Sequence, residues 1–447
     1  MLRLRLFCLL LGLTGTARAQ SDLLLLTLPP TLQTTSVSPS MVPSSRFAVA
    51  IPVLSGRASG HHSAFPLRAV VRNDTLDPGR GLDRMNRNNL LAVDAHLDYL
   101  FAGVRLRKWY LTLSMSEHAE ARAAYDGRIA ELLWRGNAPF VGQTLSLDRL
   151  EGQALLYRAL AVGVAYRHDD WTFGLRPRLL WGRAALRLHE TDLRLRVAEG
   201  LLTAEYDARY RYDEAEELFS SDLDDGAYIL PRRNLGWGID GSVTYEGLDA
   251  WTFTVGWQNS GRIYWNTRTS TERFSRSGTY TGFTDEDYDG TETLTLQRVL
   301  DTLEATFLTD GTTQRREGFG TWLTPRLYAA SRFALNDEWA LGGAVQAEFY
   351  DGFRPAASVS ATRRFGRLAR GVVGYTVRSR DFTGLGAGVV ITSGPVELHV
   401  VSDHVVSLFA LQAVRSAHLR IGCNILFGGK PGGSAATAGT QWSRSTQ

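Results

Sequence analysis

The dominant pattern in the sequence is an alternation of apolar and polar positions with a period of two. The odd positions are mostly apolar and the even ones mostly polar or small in Leu91–Phe101, Trp251–Trp257 and Leu341–Phe349. Successive side chains of a β-strand point to opposite faces, so each stretch predicts a strand with one apolar and one polar face. A membrane β-barrel and a soluble β-sandwich both produce this pattern.

Four of the predicted strands begin with a tryptophan that directly follows a short polar turn. These residues are Trp109, Trp171, Trp251 and Trp339. An indole ring beside a tight turn is well placed at a membrane–water interface, where its apolar ring and its polar N–H meet different surroundings. The tryptophans therefore favour a membrane barrel, although a soluble strand can also begin with an aromatic residue.

The spacing of the turns predicts an all-β chain of about 14 strands, an even number, as in single-chain bacterial outer-membrane barrels. The first predicted strand is Phe47–Val53, and a later one is Gly320–Leu335. Every short turn then falls at one end of the antiparallel barrel. The long connections fall at the other end, which is extracellular in such proteins: Leu54–Asn89, Ala119–Gln153, His189–Asn234 and Tyr264–Phe319.

Three segments within the long connections have patterns of their own. Leu201–Tyr212 alternates like a strand, but a membrane pass there would move the turn before Trp251 to the wrong end. We therefore place this segment in an extracellular hairpin with Thr191–Val197. Short helices are predicted for Asp126–Leu133 and Asp213–Phe219.

Both ends of the chain differ from the barrel pattern. Residues 1–19 begin with basic residues, continue with a short apolar run and end in small residues, which is a secretory signal peptide with cleavage expected after Ala19. Residues 20–45 are rich in Ser, Thr and Pro and form either a periplasmic arm or a plug in the lumen. Residues 46–427 form the barrel, and the Gly- and Ser-rich tail 428–447 is expected to be disordered.

Composition narrows the function classes. The chain has 49 basic and 46 acidic residues and a net charge of +3, so it lacks the strong basic excess of a nucleic-acid binder. Once the signal peptide is removed, Cys423 is the one remaining cysteine, and no intramolecular disulfide can form. Aromatic residues make up 10% and mean hydropathy is −0.15, which a membrane barrel can combine because every second strand residue faces the lumen.

The last predicted strand ends with a motif at Arg420–Phe427. Its order of polar, Gly and apolar positions resembles the C-terminal signal that the barrel-assembly machinery recognises. Alternation places Ile421, Cys423 and Phe427 towards lipid and Asn424 towards the lumen. The expected partners are therefore outer-membrane lipid and, during biogenesis, that machinery.

Several short segments resemble a family of Bacteroidota outer-membrane proteins labelled domain of unknown function 5723. The segments are Trp109–Glu117, Gly136–Phe140, Gly174–Gly182, Gly238–Gly241 and Gly261–Trp265. Where the family usually has Asp-Leu-Gly before the last motif, this chain has Asn259-Ser260-Gly261. The resemblance implies an outer-membrane barrel broadly similar to the long-chain fatty-acid transporter type, and it implies no established activity.

One acidic run is a candidate metal site. Asp285, Asp287 and Asp289 alternate and are followed by Gly290, as at the start of a calcium-binding loop. Leu296 stands where such a loop needs a bidentate Glu. A solvated extracellular loop is the favoured interpretation, and a calcium ion there is the alternative; no other cofactor is predicted.

Other polar residues suggest no catalytic centre. His61 and His62 are adjacent and should point to opposite faces of a strand, so a shared metal ion is not expected. Asp94, His96 and Asp98 face inward in the predicted strand and should line a wet lumen, where they would influence solute selectivity. The sequence carries no nucleophile elbow, zinc-protease motif or phosphate-binding loop, so an enzyme is not predicted.

The leading functional hypothesis is passive transport of small or hydrophobic solutes through an outer-membrane barrel. One alternative is a non-transporting scaffold that presents its long loops to a surface or secretion partner. A second alternative is a soluble periplasmic all-β protein. The sequence names neither a solute nor a surface partner.

Overall fold

The computed structural model describes residues 22–64, 71–72, 75–76, 82–135, 138–197, 204–215, 233–280, 312–315, 317–350, 352–378, 381–409 and 415–428. The helices are α1 (Leu23–Thr27), α2 (Thr34–Val37), α3 (Gly127–Arg135) and α4 (Val406–Phe409), with a 3₁₀ turn at Ala138–Phe140. Among the described residues, no helix combines the length and the apolar character needed to cross a membrane.

The strands, in chain order, are β1 (Phe47–Ala50), β2 (Gly56–His62), β3 (Val71–Arg72), β4 (Thr75–Leu76), β5 (Asn89–Leu106), β6 (Trp109–Tyr125), β7 (Thr144–Ser146), β8 (Leu150–His168), β9 (Trp171–Val197), β10 (Ala204–Ala215), β11 (Leu235–Leu248), β12 (Trp251–Trp265), β13 (Thr269–Tyr280), β14 (Thr312–Arg315), β15 (Phe319–Trp322), β16 (Arg326–Ala334), β17 (Trp339–Phe349), β18 (Phe353–Phe365), β19 (Ala369–Arg378), β20 (Asp381–Ser393), β21 (Val396–Ser402) and β22 (Ser416–Phe427).

Fourteen antiparallel strands close into a barrel, which confirms the predicted fold class. β1 and β2 together make one strand of the wall, β15 and β16 make another, and β5, β6, β8, β9, β11, β12 and β17 to β22 supply the rest. Closure occurs where β1 and β2 pair with β22, through Phe47 opposite Phe427 and Gly56 opposite Ile421. On their other edge β1 and β2 pair with β5.

Two wall strands are interrupted. The predicted strand Phe47–Val53 ends at Ala50, because Pro52 has no N–H to donate and Val53 takes a left-handed φ of 65°. The wall resumes as β2 at Gly56, so the predicted connection Leu54–Asn89 is wrong for Gly56–His62, which pair with β22. Gly320–Leu335 is likewise divided at residues 323–325, which end in Pro325. A proline in a strand removes one hydrogen bond from the ladder, so both breaks coincide with its position.

The short turns lie at one end of the barrel, called here the turn end, and the long connections at the other, the loop end. At the loop end the same sheet continues beyond the barrel wall as the extension sheet, made of β7, the last part of β9, β10, β13 and β14. β10 pairs with β9 from Ala215 opposite Ala185 to Ala204 opposite Val197. The predicted pairing of Leu201–Tyr212 with Thr191–Val197 in a hairpin at the loop end is therefore confirmed for its described part, residues 204–212.

The two predicted loop helices have different outcomes. α3 confirms the helix expected at Asp126–Leu133. The helix expected at Asp213–Phe219 is wrong for Asp213–Ala215, which belong to β10, and residues 216–219 lie outside the described residues. Cross-strand pairing with β9 and β13 overrides the local helical pattern there.

The outer surface carries an apolar belt. On β9 the outward side chains Trp171, Phe173, Leu175 and Leu179 are exposed. Each residue of a strand tilted by about 40° advances about 2.5 Å along the barrel axis, so the ten steps from Trp171 to Trp181 span about 25 Å, the height of the apolar band of a membrane barrel.

All four tryptophans predicted at the membrane interface lie at the turn end and project outward. Three of them pack on an aromatic ring of the neighbouring strand: Trp109 on Tyr166 with centroids 4.5 Å apart, Trp171 on Tyr245 at 4.5 Å and Trp251 on Phe333 at 4.7 Å. These pairs form one girdle of the belt, as expected for amphipathic rings at a headgroup layer.

The alternation within β5 changes at one position. Leu91–Phe101 predicts Phe101 on the same outward face as Leu91, but the register with β6 shifts between Asp98 and Leu100. Because of this bulge Leu100 faces outward, and Phe101 turns into the lumen, where it is 1% exposed and packs with Leu32.

Candidate functional site: the plugged lumen

Residues 22–45, called here the plug, lie inside the barrel. The leucines of α1 are buried against the inner wall, in one cluster with Tyr328, Ala330 and Ala344 and in a second with Val372, Val390 and Val401. The wall makes room for them with glycine: a Cβ at Gly386 would lie 2.4 Å from Leu24. The structure thus distinguishes between the two predicted alternatives for this segment, a plug and a periplasmic arm, and places its described part in the lumen.

The first polar anchor of the plug is the carboxylate of Asp22. It accepts hydrogen bonds from Nε and a terminal nitrogen of Arg420 at 2.6 and 2.7 Å and from Arg57 at 2.9 Å. His418 lies 3.3 Å away. All of these partners come from β2 and β22, so Asp22 holds the plug against the seam where the barrel closes.

The second and third anchors lie further along the plug. The amide of Gln33 donates to Asn424 at 2.7 Å and accepts from it at 2.9 Å. Ser40 contacts Ser242 of β11, with 2.7 Å between the two hydroxyl oxygens. Because β22 and β11 are separated by several strands in each direction around the barrel, the plug spans the lumen between opposite regions of the wall.

The backbone of the plug is not part of the wall. Its described backbone–backbone hydrogen bonds are local, such as Leu26 N–H to Asp22 O and Ser38 N–H to Thr34 O. Side chains of the wall reach the remaining backbone groups, for example Arg176 to the carbonyl of Ser36 and Gln258 to that of Val37. The described contacts between the plug and the wall therefore involve a side chain on at least one side, and no strand pairing joins the two.

A charged bridge crosses the lumen towards the loop end. Arg122 of β6 lies 2.9 Å from Asp94 of β5 and 3.3 Å from Glu348 of β17. Arg326 of β16 lies 3.2 Å from the same Asp94 and 2.8 Å from the same Glu348. Two guanidinium groups and two carboxylates thus neutralise one another across the space between β5–β6 and β16–β17. Such mutual pairing is what buried charges require.

The loop end is closed by apolar packing as well. Trp265 is 1% exposed and packs with Tyr157, Leu155 and Leu323, while its indole N–H donates to Thr321 at 2.8 Å. A cavity of about 180 Å³ lies beside this end, lined by Glu151, Gly152, Gln153, Arg187, Leu188, His189 and Tyr350. This volume is below the range typical of pockets that enclose drug-sized ligands.

The inward polar residues predicted to line a wet lumen are instead buried and paired. Asp94 belongs to the charged bridge, and Asp98 accepts a hydrogen bond from Ser55 at 2.7 Å and lies 2.9 Å from His96. His96 also stacks on His118 with ring centroids 4.6 Å apart. The prediction of inward orientation is confirmed, but the lumen around these side chains is filled, because the plug and the bridge occupy it.

The adjacent histidines have different partners. His61 bonds to Ser416 across the seam at 3.0 Å, and His62 bonds to Tyr125 of β6. Among the described residues, no group of three or more His, Cys, Asp or Glu side chains is arranged to hold a metal ion. The candidate calcium residues Asp285, Asp287 and Asp289 lie outside the described residues.

One ionisable pair lies beyond the membrane, in the extension sheet. Asp213 is buried, which alone would raise its pKa, but hydrogen bonds from His189 at 2.5 Å and Thr271 at 2.8 Å outweigh burial. The pKa of Asp213 is therefore lowered from its ordinary value. Asp213 joins β10 to both of its neighbours, β9 and β13.

Sequence reasoning missed the anchors of the plug. The available signal was the inward placement of Arg57 and Arg420 in strands that cross a membrane, since a buried guanidinium needs a carboxylate. Their partner Asp22 is 35 and 398 residues away along the chain, so periodicity could not identify it.

These features define the class of the protein: a closed 14-stranded antiparallel β-barrel with an apolar outer belt, whose lumen is filled by residues 22–45 of the same chain. The chain belongs to a family of unknown function, DUF5723, which matches residues 39–403. No curated protein matches it.

Solved structures similar to this chain include transporters. The Ralstonia pickettii toluene transporter TbuX is 10% identical, with 90% of this chain and 94% of that chain covered and a TM-score of 0.42. A Pseudomonas aeruginosa FadL homologue is 9% identical over 90% and 95% of the two chains, with a TM-score of 0.43. The Pseudomonas putida toluene transporter TodX is 9% identical over 92% and 94%, with a TM-score of 0.39.

Proposed function

We propose that this protein is a gated outer-membrane channel for small or hydrophobic solutes, and that the plug is its gate. The observation that carries the proposal is the absence of strand pairing between the plug and the wall among the described residues. The plug can leave its position while every ladder of the barrel stays intact. A structural filler that is never displaced does not need this separation.

The width of the barrel supports the same proposal. About eight strands are enough for a barrel whose own side chains fill its interior. Fourteen strands enclose more space than that, and here the additional space is filled by a removable segment. Displacement of the plug would open a lumen whose size is set by the wall.

The lining that the plug covers indicates a class of solute. The wall around α1 is apolar and includes Val372, Val390 and Val401. The wall around Asp22 and Gln33 is polar and includes Arg420 and Asn424. An apolar strip beside a polar one suits a small solute with an apolar body and at most a small polar group.

Orientation and targeting are part of the proposal. The loop end faces outside the cell and the turn end faces the periplasm, as in bacterial barrels with short periplasmic turns. The signal peptide 1–19 is removed after Ala19, and the barrel-assembly machinery inserts the chain through its last strand. A calcium ion at Asp285, Asp287 and Asp289 remains a prediction about the outer loops.

Reconstitution into liposomes tests the proposal. Liposomes that carry a variant lacking residues 22–45 should take up a small apolar solute faster than liposomes with the intact protein, because the lumen is open. Heat-modifiable gel mobility shows that the variant has folded as a barrel. A folded variant with no more permeability than protein-free liposomes would contradict the proposal.

The scaffold alternative is favoured by the extension sheet, which has an apolar core of its own. Phe140, Leu145 and Leu195 are buried there with Tyr206 and Phe274, beyond the apolar belt. Cross-linking on intact cells, followed by purification, would support a scaffold if a stoichiometric partner is attached to β10 or β13. Recovery of the protein with no cross-linked partner would weaken the scaffold alternative.

A further inference from the structure

One basic side chain on the outer surface of the barrel, Arg262, has no carboxylate partner among the described residues. In register, Arg262 of β12 lies between Trp237 of β11 and Trp322 of β15, so all three project outward from neighbouring strands. The buried Nε of Arg262 has no hydrogen-bond acceptor, and no described carboxylate is within ion-pair distance of its guanidinium. At the same end, the guanidinium of Arg158 is paired with Glu117 at 2.9 Å.

Aromatic rings hold this guanidinium in position. Its central carbon is 5.0 Å from the ring centroid of Tyr264 and 5.2 Å from that of Trp322. Trp322 is itself fixed by an edge contact with Trp237, with centroids 6.4 Å apart and an interplanar angle of 87°. The guanidinium lies over Gly320, where a Cβ would come within 2.5 Å of it. The positive charge is therefore placed before any ligand arrives.

The position of Arg262 is the loop-end edge of the apolar belt. Trp237 stands opposite Leu179 of β9, so Arg262 lies in the same cross-strand row as Leu179. Counted along β12 itself, Arg262 is eleven residues from Trp251 of the girdle, or about 27 Å along the barrel axis with the same rise and tilt. At this height the surrounding medium changes from acyl chains to headgroups.

We propose that Arg262, with Tyr264, Trp237 and Trp322, binds a phosphate group of an outer-leaflet lipid. An arginine fork matches a phosphate through two parallel hydrogen bonds, and its charge is uncompensated by the described residues. The exposed tryptophans beside it offer apolar surface to the acyl chains of the same molecule. The occupant that fits this combination is a phosphorylated glycolipid such as lipid A.

The turn end provides an internal comparison. Arg363 also lies over two rings, Trp339 at 5.1 Å and Phe365 at 5.2 Å, but its charge is paired with Glu338 at 3.8 Å. The same cation–aromatic unit therefore occurs at both edges of the belt, and it has a carboxylate partner only at the turn end. Arg363 is a matched control for Arg262.

Native mass spectrometry of the purified barrel, titrated with lipid A, tests the assignment. The intact protein should bind the lipid, Arg262→Gln should bind it about tenfold more weakly, and Arg363→Gln should bind as the intact protein does. Arg262→Lys, which keeps the charge without the planar fork, should lie between. Heat-modifiable mobility confirms that each variant is folded.

Two further measurements separate lipid from free phosphate and from apolar adsorption. Lipid A from which the phosphates have been removed should bind the intact protein as weakly as lipid A binds Arg262→Gln. Inorganic phosphate at millimolar concentration should not displace lipid A. Equal lipid affinity for Arg262→Gln and the intact protein would overturn the assignment, and so would displacement by inorganic phosphate, which would mark a site for small anions.

Discussion

The anchor at Asp22 permits the sharpest test of how the plug is held. In Asp22→Asn the side chain keeps its shape but loses its charge, so Arg420 loses the carboxylate that it contacts and Arg57 keeps only Asp94, at 4.0 Å. Removing one partner of a buried ion pair costs about 3–5 kcal/mol. In the displaced state water can solvate both arginines, so the loss falls on the seated state of the plug. A cost of 3 kcal/mol would raise the displaced fraction by about two orders of magnitude.

Thiol labelling measures this change. With Cys423→Ser as background, a cysteine at position 40 should react slowly with a membrane-impermeant reagent when the plug is seated, because Ser40 is buried against Ser242. Asp22→Asn should accelerate labelling roughly a hundredfold if opening is in fast equilibrium. Asp192→Asn, which removes an exposed pair with Arg194, is the control and should change nothing. A labelling rate unaffected by Asp22→Asn would refute the role given to this anchor.

Three further predictions concern the lumen, the extension sheet and the belt. Gly386→Val should displace Leu24, whose side chain lies 2.4 Å from a Cβ at that position, and should therefore raise solute flux. Gly343→Ala, where a Cβ has 3.5 Å to its nearest neighbour, should leave flux unchanged. Equal flux in the two variants would argue against gating by contacts between the plug and the wall. The lowered pKa of Asp213 means that its hydrogen bonds stabilise the extension sheet above the carboxyl's ordinary pKa and are lost as pH falls through the lowered value. The protection factors of the amides in β10 and β13, which correct exchange rates for the intrinsic effect of pH, should therefore fall below about pH 4 in the intact protein. Asp213→Asn should remove that acid step while leaving the protection factors lower at neutral pH; an acid step that persists would assign it to other groups. Trp171→Ala should lower the free energy of unfolding in lipid, measured by urea titration, by about 1–3 kcal/mol, because the contact with Tyr245 is lost. Thr267→Ala in the loop should have little effect. Similar losses of unfolding free energy in the two variants would exclude a special contribution from the girdle.

Connection lengths and alternation were enough to predict the wall of this barrel. The decisive element was Leu201–Tyr212, which has the alternation of a membrane strand. The requirement that short turns share one end assigned it to a loop-end hairpin, and its pairing with β9 confirms that assignment. The requirement that all short turns share one end of the barrel applies to the whole chain, so it corrected a misleading local pattern.

Local irregularities of the wall could not be predicted in the same way. Phe101 faces the lumen because one extra residue at the bulge in β5 reverses the alternation, and a bulge leaves no periodic trace in the sequence. The helix predicted at Asp213 failed for a related reason, since pairing on both edges outweighs a local preference.

The plug was the least predictable part of the site. Inside a barrel a segment is surrounded by protein on all sides, so residues 22–45 need neither the alternation of a strand nor the stripe of a surface helix. Their positions depend on contacts between residues far apart in sequence, such as Gln33 with Asn424. Burial of consecutive leucines from Leu23 to Leu26 follows from this enclosure.

A reversible cross-link between plug and wall tests the central claim most directly. Cysteines at positions 40 and 242, where the serine hydroxyl oxygens are 2.7 Å apart, should form a disulfide that holds the plug in place. Cysteines at positions 358 and 376, where the hydroxyl oxygens of Ser358 and Thr376 are 3.1 Å apart, join two wall strands and serve as the control. Solute flux into liposomes should be abolished by oxidation in the first pair, restored by reductant, and unaffected by oxidation in the second. Undiminished flux through the cross-linked first pair would show that solute passes without movement of the plug and would contradict the account.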